Sequence, residues 1–407
     1  MIGPVAALDA ASRRLIGQAE RWGARNYAPL PVVLRRGRGV YVYDVAGRRY
    51  IDCLSAYSAL NQGHNHPRIV AAAKRQLGLL ALTSRAFHNE RMGPLLERLC
   101  RLTRMRRALL MNSGAEAVET AIKTMRLWAY KRKRVPEGRA RIIVADGNFH
   151  GRTTTIVSFS SDPSAYAHFG PRTPGFDAVP YGDAAALERA ITPRTAGVLL
   201  EPIQGEAGVR IPPAGYLRRV REVCSRRKAL LCLDEIQTGL GRTGRLFCAD
   251  HEGVRPDLFI LGKALSGGLY PVSAVAGGDE TLGLFEPGTH GSTYGGNPLA
   301  CAIALAALDV LERERLPQAA AELGGYFLGR LRTLRHPDLL EVRGRGLLLA
   351  IEFRRPSAKA FCKRLASAGL LAKDTHETTV RLAPPLVISR RQVDRAFAIV
   401  RRCLDGF

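Results

Sequence analysis

The sequence predicts an α/β protein: a large domain with a mostly parallel sheet covered by helices on both faces, accompanied by a small α/β domain built from both termini. Three observations carry this. From about residue 67 to residue 314, helix-like and strand-like stretches alternate, as they do where helical crossovers connect parallel strands. Two of the strand-like stretches, 229–233 and 258–261, are apolar throughout and bounded by polar and glycine-rich sequence, which suits strands buried on both faces. Outside that region a hairpin pattern comes first and a series of helix, strand, helix, strand, helix comes last. The expected divisions are an N-terminal segment 1–60 with the hairpin, a large domain 61–314 and a C-terminal part 315–407.

Taken in order, residues 12–23 carry an amphipathic helical stripe. VYVYD (40–44) and RRYIDCL (48–54) alternate around Val45, Ala46 and Gly47 and read as a hairpin. Helical periodicity then predicts helices over 67–80, 90–103, 113–133, 184–191, 215–227 and 298–314. Short apolar or β-branched runs predict strands over 108–111, 141–146, 154–159, 196–201, 229–233, 257–261 and 270–276. The tail reads as helix 317–333, strand 339–353, helix 357–369, strand 378–383 and helix 389–404.

Composition narrows the function. A net charge of +25 permits binding to nucleic acid or an anionic surface. The basic residues are spread along all 407 positions, however, with KRKR at 131–134 the only dense run, so a general arginine bias explains the charge and nucleic acid is not an expected partner. Eight cysteines without a CxxC pair suggest reduced thiols. His64 and His66 have no companion cluster, so no metal site is expected. No apolar run approaches the roughly 20 residues of a membrane span, and Asp9 and Glu20 argue against a transit peptide. A cytoplasmic protein without membrane contact is expected.

Asp234 and Lys263 stand where the two apolar runs stop. In open α/β sheets the ligand crevice lies beyond the carboxyl ends of the strands, so acid and amine are expected to face one site. Lysine is scarce, nine against fifty-two arginines, and Lys263 is the only one between Lys228 and Lys359. Arginine stays protonated, whereas a desolvated lysine can condense with an aldehyde. A carboxylate against a pyridine nitrogen keeps that nitrogen protonated and makes the ring an electron sink. Together the two describe a pyridoxal phosphate (PLP) site; an ion pair closing two strand ends accounts for them equally well.

Other motifs bear on the same site. Residues 239–244, GLGRTG, fit GxGxxG, but 234–238 separate them from the strand and no sustained helical stripe follows, so they read as a tight loop. The strand 108–111 runs through Asn112, Ser113, Gly114 and Ala115 into a helix whose open N–H groups suit a phosphate. Ser113 with Glu116 also spells a capping box. In GNFHGRT (147–153), Phe149 can stack on a planar ring and Arg152 can grip a carboxylate, although loop arginines are usually solvated. Glu201 and Glu206, in EPIQGEAG, follow a strand, and Gln237 lies three residues past Asp234.

LDEIQTGLGRTG, LGKALSGGLYPVSAV, NSGAEA, GNFHGRT, EPIQGEAG and HGSTYGGNP resemble the class III aminotransferases, which are fold-type-I PLP-dependent transferases. NYAPLPV (26–32), SAYSALNQGH (55–64) and VRLAPPLVI (380–388) are similar to the branch of that family that acts on ornithine, and the likeness runs from about residue 16 to the end. The resemblance implies that Lys263 condenses with the cofactor aldehyde and later moves the proton, that Asp234 holds the ring nitrogen's proton, that Phe149 stacks on the ring and that Gln237 contacts its hydroxyl. Gly114 and Ala115, with Ser113 beside them, would hold the phosphate together with Ser292 and Thr293 of the partner subunit, which implies a homodimer with shared sites. Tyr27 and Arg152 would take the α-carboxylate of ornithine and Tyr57 would shape its pocket. Glu206 would mask Arg381 until that arginine is needed for 2-oxoglutarate. The products implied are glutamate and glutamate 5-semialdehyde, which cyclises to pyrroline-5-carboxylate and links arginine to proline metabolism.

Two rival readings remain. His150 stands where the family often has tryptophan, and Ala115 where it often has a bulkier residue. Histidine at that place also occurs in acetylornithine aminotransferases, so an ω-aminotransferase using acetylornithine or γ-aminobutyrate is the nearer rival, against which Tyr57 weighs. A basic nucleic-acid-binding or regulatory protein on a degenerate enzyme fold is the reading of another class; it predicts decayed site residues, yet Lys263, Asp234, Arg152 and Arg381 are all present.

Overall fold

In the computed structural model, which describes residues 8–407, the strands fall into three sheets. Residues 1–7 of the expected N-terminal segment lie outside the described residues. β1 (Leu34–Arg38), β2 (Tyr41–Asp44) and β3 (Arg49–Asp52) make an antiparallel N-terminal sheet, which adds one strand to the expected hairpin. β4 (Arg107–Met111), β5 (Arg141–Ala145), β6 (Phe176–Val179), β7 (Thr195–Leu200), β8 (Leu230–Asp234), β9 (Leu258–Leu261) and β10 (Ser273–Gly277) make the central sheet in the order β4-β10-β9-β8-β7-β5-β6. Only β10 runs against its neighbours there. The tail holds β11 (Leu339–Arg345), β12 (Leu348–Phe353), β13 (Leu370–Leu371), β14 (Lys373–Thr375) and β15 (Thr379–Leu382). Four of these form the antiparallel sheet β11-β12-β15-β14, while β13 pairs with β3, so the two ends of the chain share a sheet.

Why β7, β8 and β9 are apolar at almost every position follows from the packing. Leu230 and Cys232, like Leu258 and Ile260, point into a core with Val118, Ile122 and Met125 of the helix Gly114–Lys131. Leu231 and Leu233, like Phe259 and Leu261, point into the opposite core with Val220 and Val223 of the helix Tyr216–Arg226 and Ile303 and Ala307 of the helix Pro298–Arg313. The period of two thus divides each strand between two dry layers, and no position is left for water. Residues 112–115, 146–152, 201–206, 234–238 and 262–263 follow β4, β5, β7, β8 and β9, so they all emerge at the carboxyl edge of the sheet.

Two expected elements differ. The stretch 154–159, expected as a strand from its β-branched run, is a single helical turn, Thr154–Val157, capped by Thr153, whose hydroxyl accepts from the Ile156 N–H at 3.3 Å. A β-branched run this short fits either state, and the strand beside β5 is β6 instead. The expected strand 339–353 is the hairpin of β11 and β12, turned at Gly346, whose φ of +57° a side-chain-bearing residue seldom adopts. The loop 239–244 is tight, with Gly241 and Gly244 at φ +93° and +94°. Among the described residues no helix is long and apolar enough to cross a membrane.

Gly197 in β7 sets how closely the helix Gly114–Lys131 approaches the sheet, since a Cβ there would lie 2.7 Å from Met125 Sδ and 2.8 Å from Leu230 O. Gly197→Ala is therefore expected to lose about 1–3 kcal/mol of stability in urea unfolding, the usual cost of overpacking a core. An unchanged midpoint would refute this account of the packing.

Candidate active site

The five strand ends line one cavity of about 220 Å³. β4 leads to Gly114 and Ala115, β5 to Phe149 and His150, β7 to Glu201 and Glu206, β8 to Asp234 and Gln237, and β9 to Lys263. Desolvation holds the Lys263 ammonium below its ordinary pKa, opposed by the charges of Glu206 and Asp234. Its backbone sits at φ +43°, a left-handed conformation that costs about 1 kcal/mol for a residue with a Cβ. Such strain persists where the surroundings impose it, here β9 before it and the turn Lys263–Ser266.

Asp234 is buried and doubly held: Oδ2 lies 2.7 Å from His150 Nδ1, and Oδ1 accepts from the Ile236 N–H at 3.0 Å. Burial alone would lower the His150 pKa, but the Asp234 carboxylate outweighs it and the imidazole is held above its usual value. The pair is then a charge-assisted hydrogen bond with Nδ1 donating. Glu201 behaves oppositely. One oxygen accepts from the Phe149 N–H at 3.1 Å, and burial pushes its pKa up to about 8, so it keeps its proton at neutral pH.

Arg381, buried in β15, reaches into this site from the tail sheet. Nη1 donates to Glu206 Oε1 at 2.7 Å and to Gly205 O at 3.1 Å, and Gln237 Nε2 donates to the same Glu206 oxygen at 3.0 Å. Burial would raise the Glu206 pKa, but the guanidinium and these hydrogen bonds hold it below the ordinary carboxylate value. Gly205 permits the contact, because a Cβ there would lie 1.4 Å from Gln237 Oε1. The Arg381 guanidinium also lies 5.1 Å from the centre of the Tyr57 ring. Tyr57 is presented by the turn Ser55–Ser58, whose four residues have φ of +51°, +46°, +59° and +71°. Asp52 Oδ1 pins that turn by accepting from the N–H groups of Leu54 and Ser55.

At the start of the helix Gly114–Lys131 the capping box forms: Ser113 Oγ accepts from the Glu116 N–H at 3.2 Å and Glu116 Oε2 accepts from the Ser113 N–H at 2.7 Å. Gly114 and Ala115 are the first two residues of the helix and have no intrahelical acceptor, so their N–H groups are left for an anion in the cavity they line. An amine of lowered pKa, a carboxylate held by two hydrogen bonds and these free donors fit PLP.

The remaining expected residues lie further out. Arg152 lines an adjoining cavity of about 450 Å³ that shares Phe149, His150, Gly151 and Glu206 with the first. Ser113 spends its side chain on the cap. Tyr27 is exposed and lines neither cavity. Ser292 Oγ accepts from Asn112 Nδ2 at 2.8 Å, Thr293 is exposed, and neither lines these two cavities. Sequence reading did not assign His150 or Glu201 to the site. Glu201 carries a usable signal, its place at the carboxyl end of a strand; nothing local marks His150 as the partner of Asp234.

The family model of class III aminotransferases matches residues 22–404. The chain belongs to the class III aminotransferases. It is 59% identical over 378 residues to the ornithine aminotransferase of Bordetella pertussis, covering 92% of each chain, and 54% identical to that of Brevibacillus brevis over 96% of this chain and 98% of the other. The ornithine aminotransferase of Toxoplasma gondii, whose structure holds PLP at partial occupancy in the active site, superimposes with a TM-score of 0.96 at 44% identity, over 97% of this chain and 94% of that one. An acetylornithine aminotransferase from Elizabethkingia anophelis superimposes with a TM-score of 0.89 at 46% identity, over 97% and 99%. Class III aminotransferases work with PLP, in accord with the fit of the cavity.

Glu201 makes stability depend on pH in this aminotransferase. The unfolded chain releases this proton near the ordinary 4.5 and the folded chain keeps it to about 8, so the group's contribution falls through that window as pH rises. Glu201→Gln removes the fall. In urea unfolding the cofactor-free variant is expected to lose less stability than the parent between those two values, by up to roughly 1 kcal/mol per pH unit. Identical slopes would mean that Glu201 ionises freely.

Proposed function

We propose that the protein moves the δ-amino group of L-ornithine to 2-oxoglutarate, giving glutamate and glutamate 5-semialdehyde, which cyclises to pyrroline-5-carboxylate. The observation that carries this reading is the buried Glu206–Arg381 pair beside the cavity of Lys263 and Asp234, in a chain 52–59% identical to ornithine aminotransferases.

When bound, PLP supplies an aldehyde through which the amino group passes and a pyridinium ring that draws electrons from the carbon bearing nitrogen. Lys263 Nζ, its pKa lowered by desolvation, is the group that takes the proton from the δ-carbon of ornithine and delivers it across the nitrogen. Asp234 keeps the ring nitrogen protonated, and His150 orients Asp234. The N–H groups of Gly114 and Ala115 would hold the phosphate, Phe149 would cover the ring and Gln237 would contact its hydroxyl, all four lining the cavity.

Substrate order follows from the charges. While Glu206 neutralises Arg381, an α-carboxylate finds no free cation beside Lys263, so ornithine places that group toward Arg152 and Tyr27, with Tyr57 shaping the pocket, and its δ-amine at Lys263. 2-Oxoglutarate brings a carboxylate of its own. Breaking a buried ion pair is costly when one charge is left unpaired, and exchanging one carboxylate for another avoids that cost.

The same proposal includes a homodimer, with Ser292 and Thr293 of the partner subunit completing the phosphate site. Eight unpaired cysteines suit a reducing cytoplasm, and the reaction would connect arginine breakdown with proline formation.

A spectral titration of the purified holoenzyme tests the donor. Ornithine is expected to convert the cofactor with at least about tenfold higher kcat/KM than N-acetylornithine or γ-aminobutyrate, a gap of roughly 1.4 kcal/mol; a preference for N-acetylornithine would overturn the reading. Glu206→Ala should unmask Arg381 and raise the rate with glutamate as first-half donor about tenfold or more. An unchanged donor preference would sink the switch.

A further inference from the structure

The loop 239–244 takes no part in the chemistry above, yet it carries Arg242, which with Arg381 is one of the two largest fully buried side chains among the described residues. Its guanidinium lies where the central sheet meets the tail. Nη1 donates to Leu347 O at 3.0 Å and to Pro384 O at 2.6 Å, and Nη2 donates to Asn61 Oδ1 at 2.5 Å. Every acceptor is a neutral oxygen. Burial without a hydrogen-bonded carboxylate lowers its pKa to about 9, a cost that a merely space-filling residue would not incur.

The two carbonyls on Nη1 are placed to matter. Leu347 immediately precedes β12, and Pro384 follows the end of β15 by two residues. β12 and β15 are antiparallel neighbours, with Leu349 opposite Leu382 and Ala350 opposite Arg381. One nitrogen therefore clips two paired strands at the same edge, three residues from Arg381. The backbone docks there too: the Leu347 N–H donates to Arg242 O at 3.0 Å, and a Cβ on Gly346 would lie 2.4 Å from the carbonyl carbon of Thr243. Asn61 ties the loop from the other side, donating to Leu240 O at 2.8 Å and accepting from the Leu386 N–H at 2.8 Å. A lysine has the charge but not the planar fork that reaches these oxygens together.

We propose that Arg242 is a positioning residue for the second substrate: it fixes the strand end that carries Arg381 and so sets the grip of Arg381 on the carboxylate of 2-oxoglutarate. The proposal rests on the role given to Arg381 above. In the first half-reaction Glu206 itself holds the tip of Arg381, so loss of Arg242 is felt little. In the second half-reaction Glu206 lets go, and the placing of the guanidinium falls to the strand end that Arg242 clips, together with the Gly205 carbonyl.

The test uses the holoenzyme of Arg242→Met, Arg242→Lys and Arg381→Gln, with the two half-reactions followed separately and the binding of glutarate, a non-reacting dicarboxylate, measured by calorimetry. Arg242→Met is expected to weaken both 2-oxoglutarate and glutarate about tenfold or more while the ornithine half-reaction stays within about threefold, and Arg242→Lys should recover part of the loss. A general loss of structure would instead slow both halves alike. An equal loss in both halves, or unchanged dicarboxylate affinity in the folded variant, would overturn the proposal. Arg381→Gln separates the two claims: if it leaves dicarboxylate affinity unchanged, the role of Arg381 itself is wrong; if it weakens that affinity while Arg242→Met does not, only the positioning claim fails. Should Arg242→Met not fold, Arg242→Lys and Asn61→Ala, which removes one acceptor and keeps the charge, decide between the same outcomes.

Discussion

Lys263, Asp234 and Glu206 line one cavity of about 220 Å³, Arg381 stands behind Glu206, and the need to neutralise these charges ties the structure together. An isolated charge in such a place is expensive, and removing one member of a buried pair leaves the other uncompensated. Asp234 is answered by His150, which joins the end of β8 to the end of β5. Glu206 is answered by Arg381, which joins the central sheet to the tail sheet. Glu201 has no such partner and answers by keeping its proton. Charge pairing at the site is therefore also the bracing between layers.

Close approach is the second constraint. Gln237 can lie against the backbone at position 205 only because no Cβ intervenes there, and that contact brings one amide to Glu206 and Arg381 together. Tyr57 is carried on four successive left-handed residues, a conformation costing about 1–2 kcal/mol for each residue with a Cβ. Strain of that size persists only where the rest of the fold outweighs it, and here it sits beside the guanidinium of Arg381. The dry, doubly covered sheet supplies the rigidity against which these local costs are set.

The parts of this arrangement visible in the amino-acid sequence are those that depend on short-range pattern. The apolar runs of β8 and β9 reveal strands covered on both faces, and the residues at their ends, Asp234 and Lys263, can be placed from that alone. β6 escaped notice because its four residues, at the edge of the sheet, are mostly half-buried and carry no sustained apolar run. The turn at Gly346 is hidden inside what reads as one long strand. His150 and Asp234 are 84 positions apart, and only the parallel register of β5, β7 and β8 makes them neighbours. Tyr27, Ser292 and Thr293 lie outside the cavity of their own chain, and the pattern of a single chain has no mark for a residue that serves a neighbour's site, in keeping with the proposed dimer.

The two buried arginines differ in their partners, in a way that suits the proposed transfer. In the proposed reaction Arg381 alternates between Glu206 and a substrate carboxylate, so no other anion can be allowed to compete for it. Among the described residues Glu206 is the only carboxylate that hydrogen-bonds Arg381. A carboxylate hydrogen-bonded to Arg242 would bring a second acceptor close to Arg381; Asp52 instead acts on Arg242 only through space. Carbonyl and amide oxygens solvate Arg242 without adding net negative charge. Burial lowers the Arg242 pKa most, the Asp52 carboxylate opposes that, and the nearby Arg381 charge adds a smaller lowering. Arg242 is thus held by neutral oxygens and by the field of Asp52, and no carboxylate hydrogen-bonded to it competes with Glu206 for Arg381.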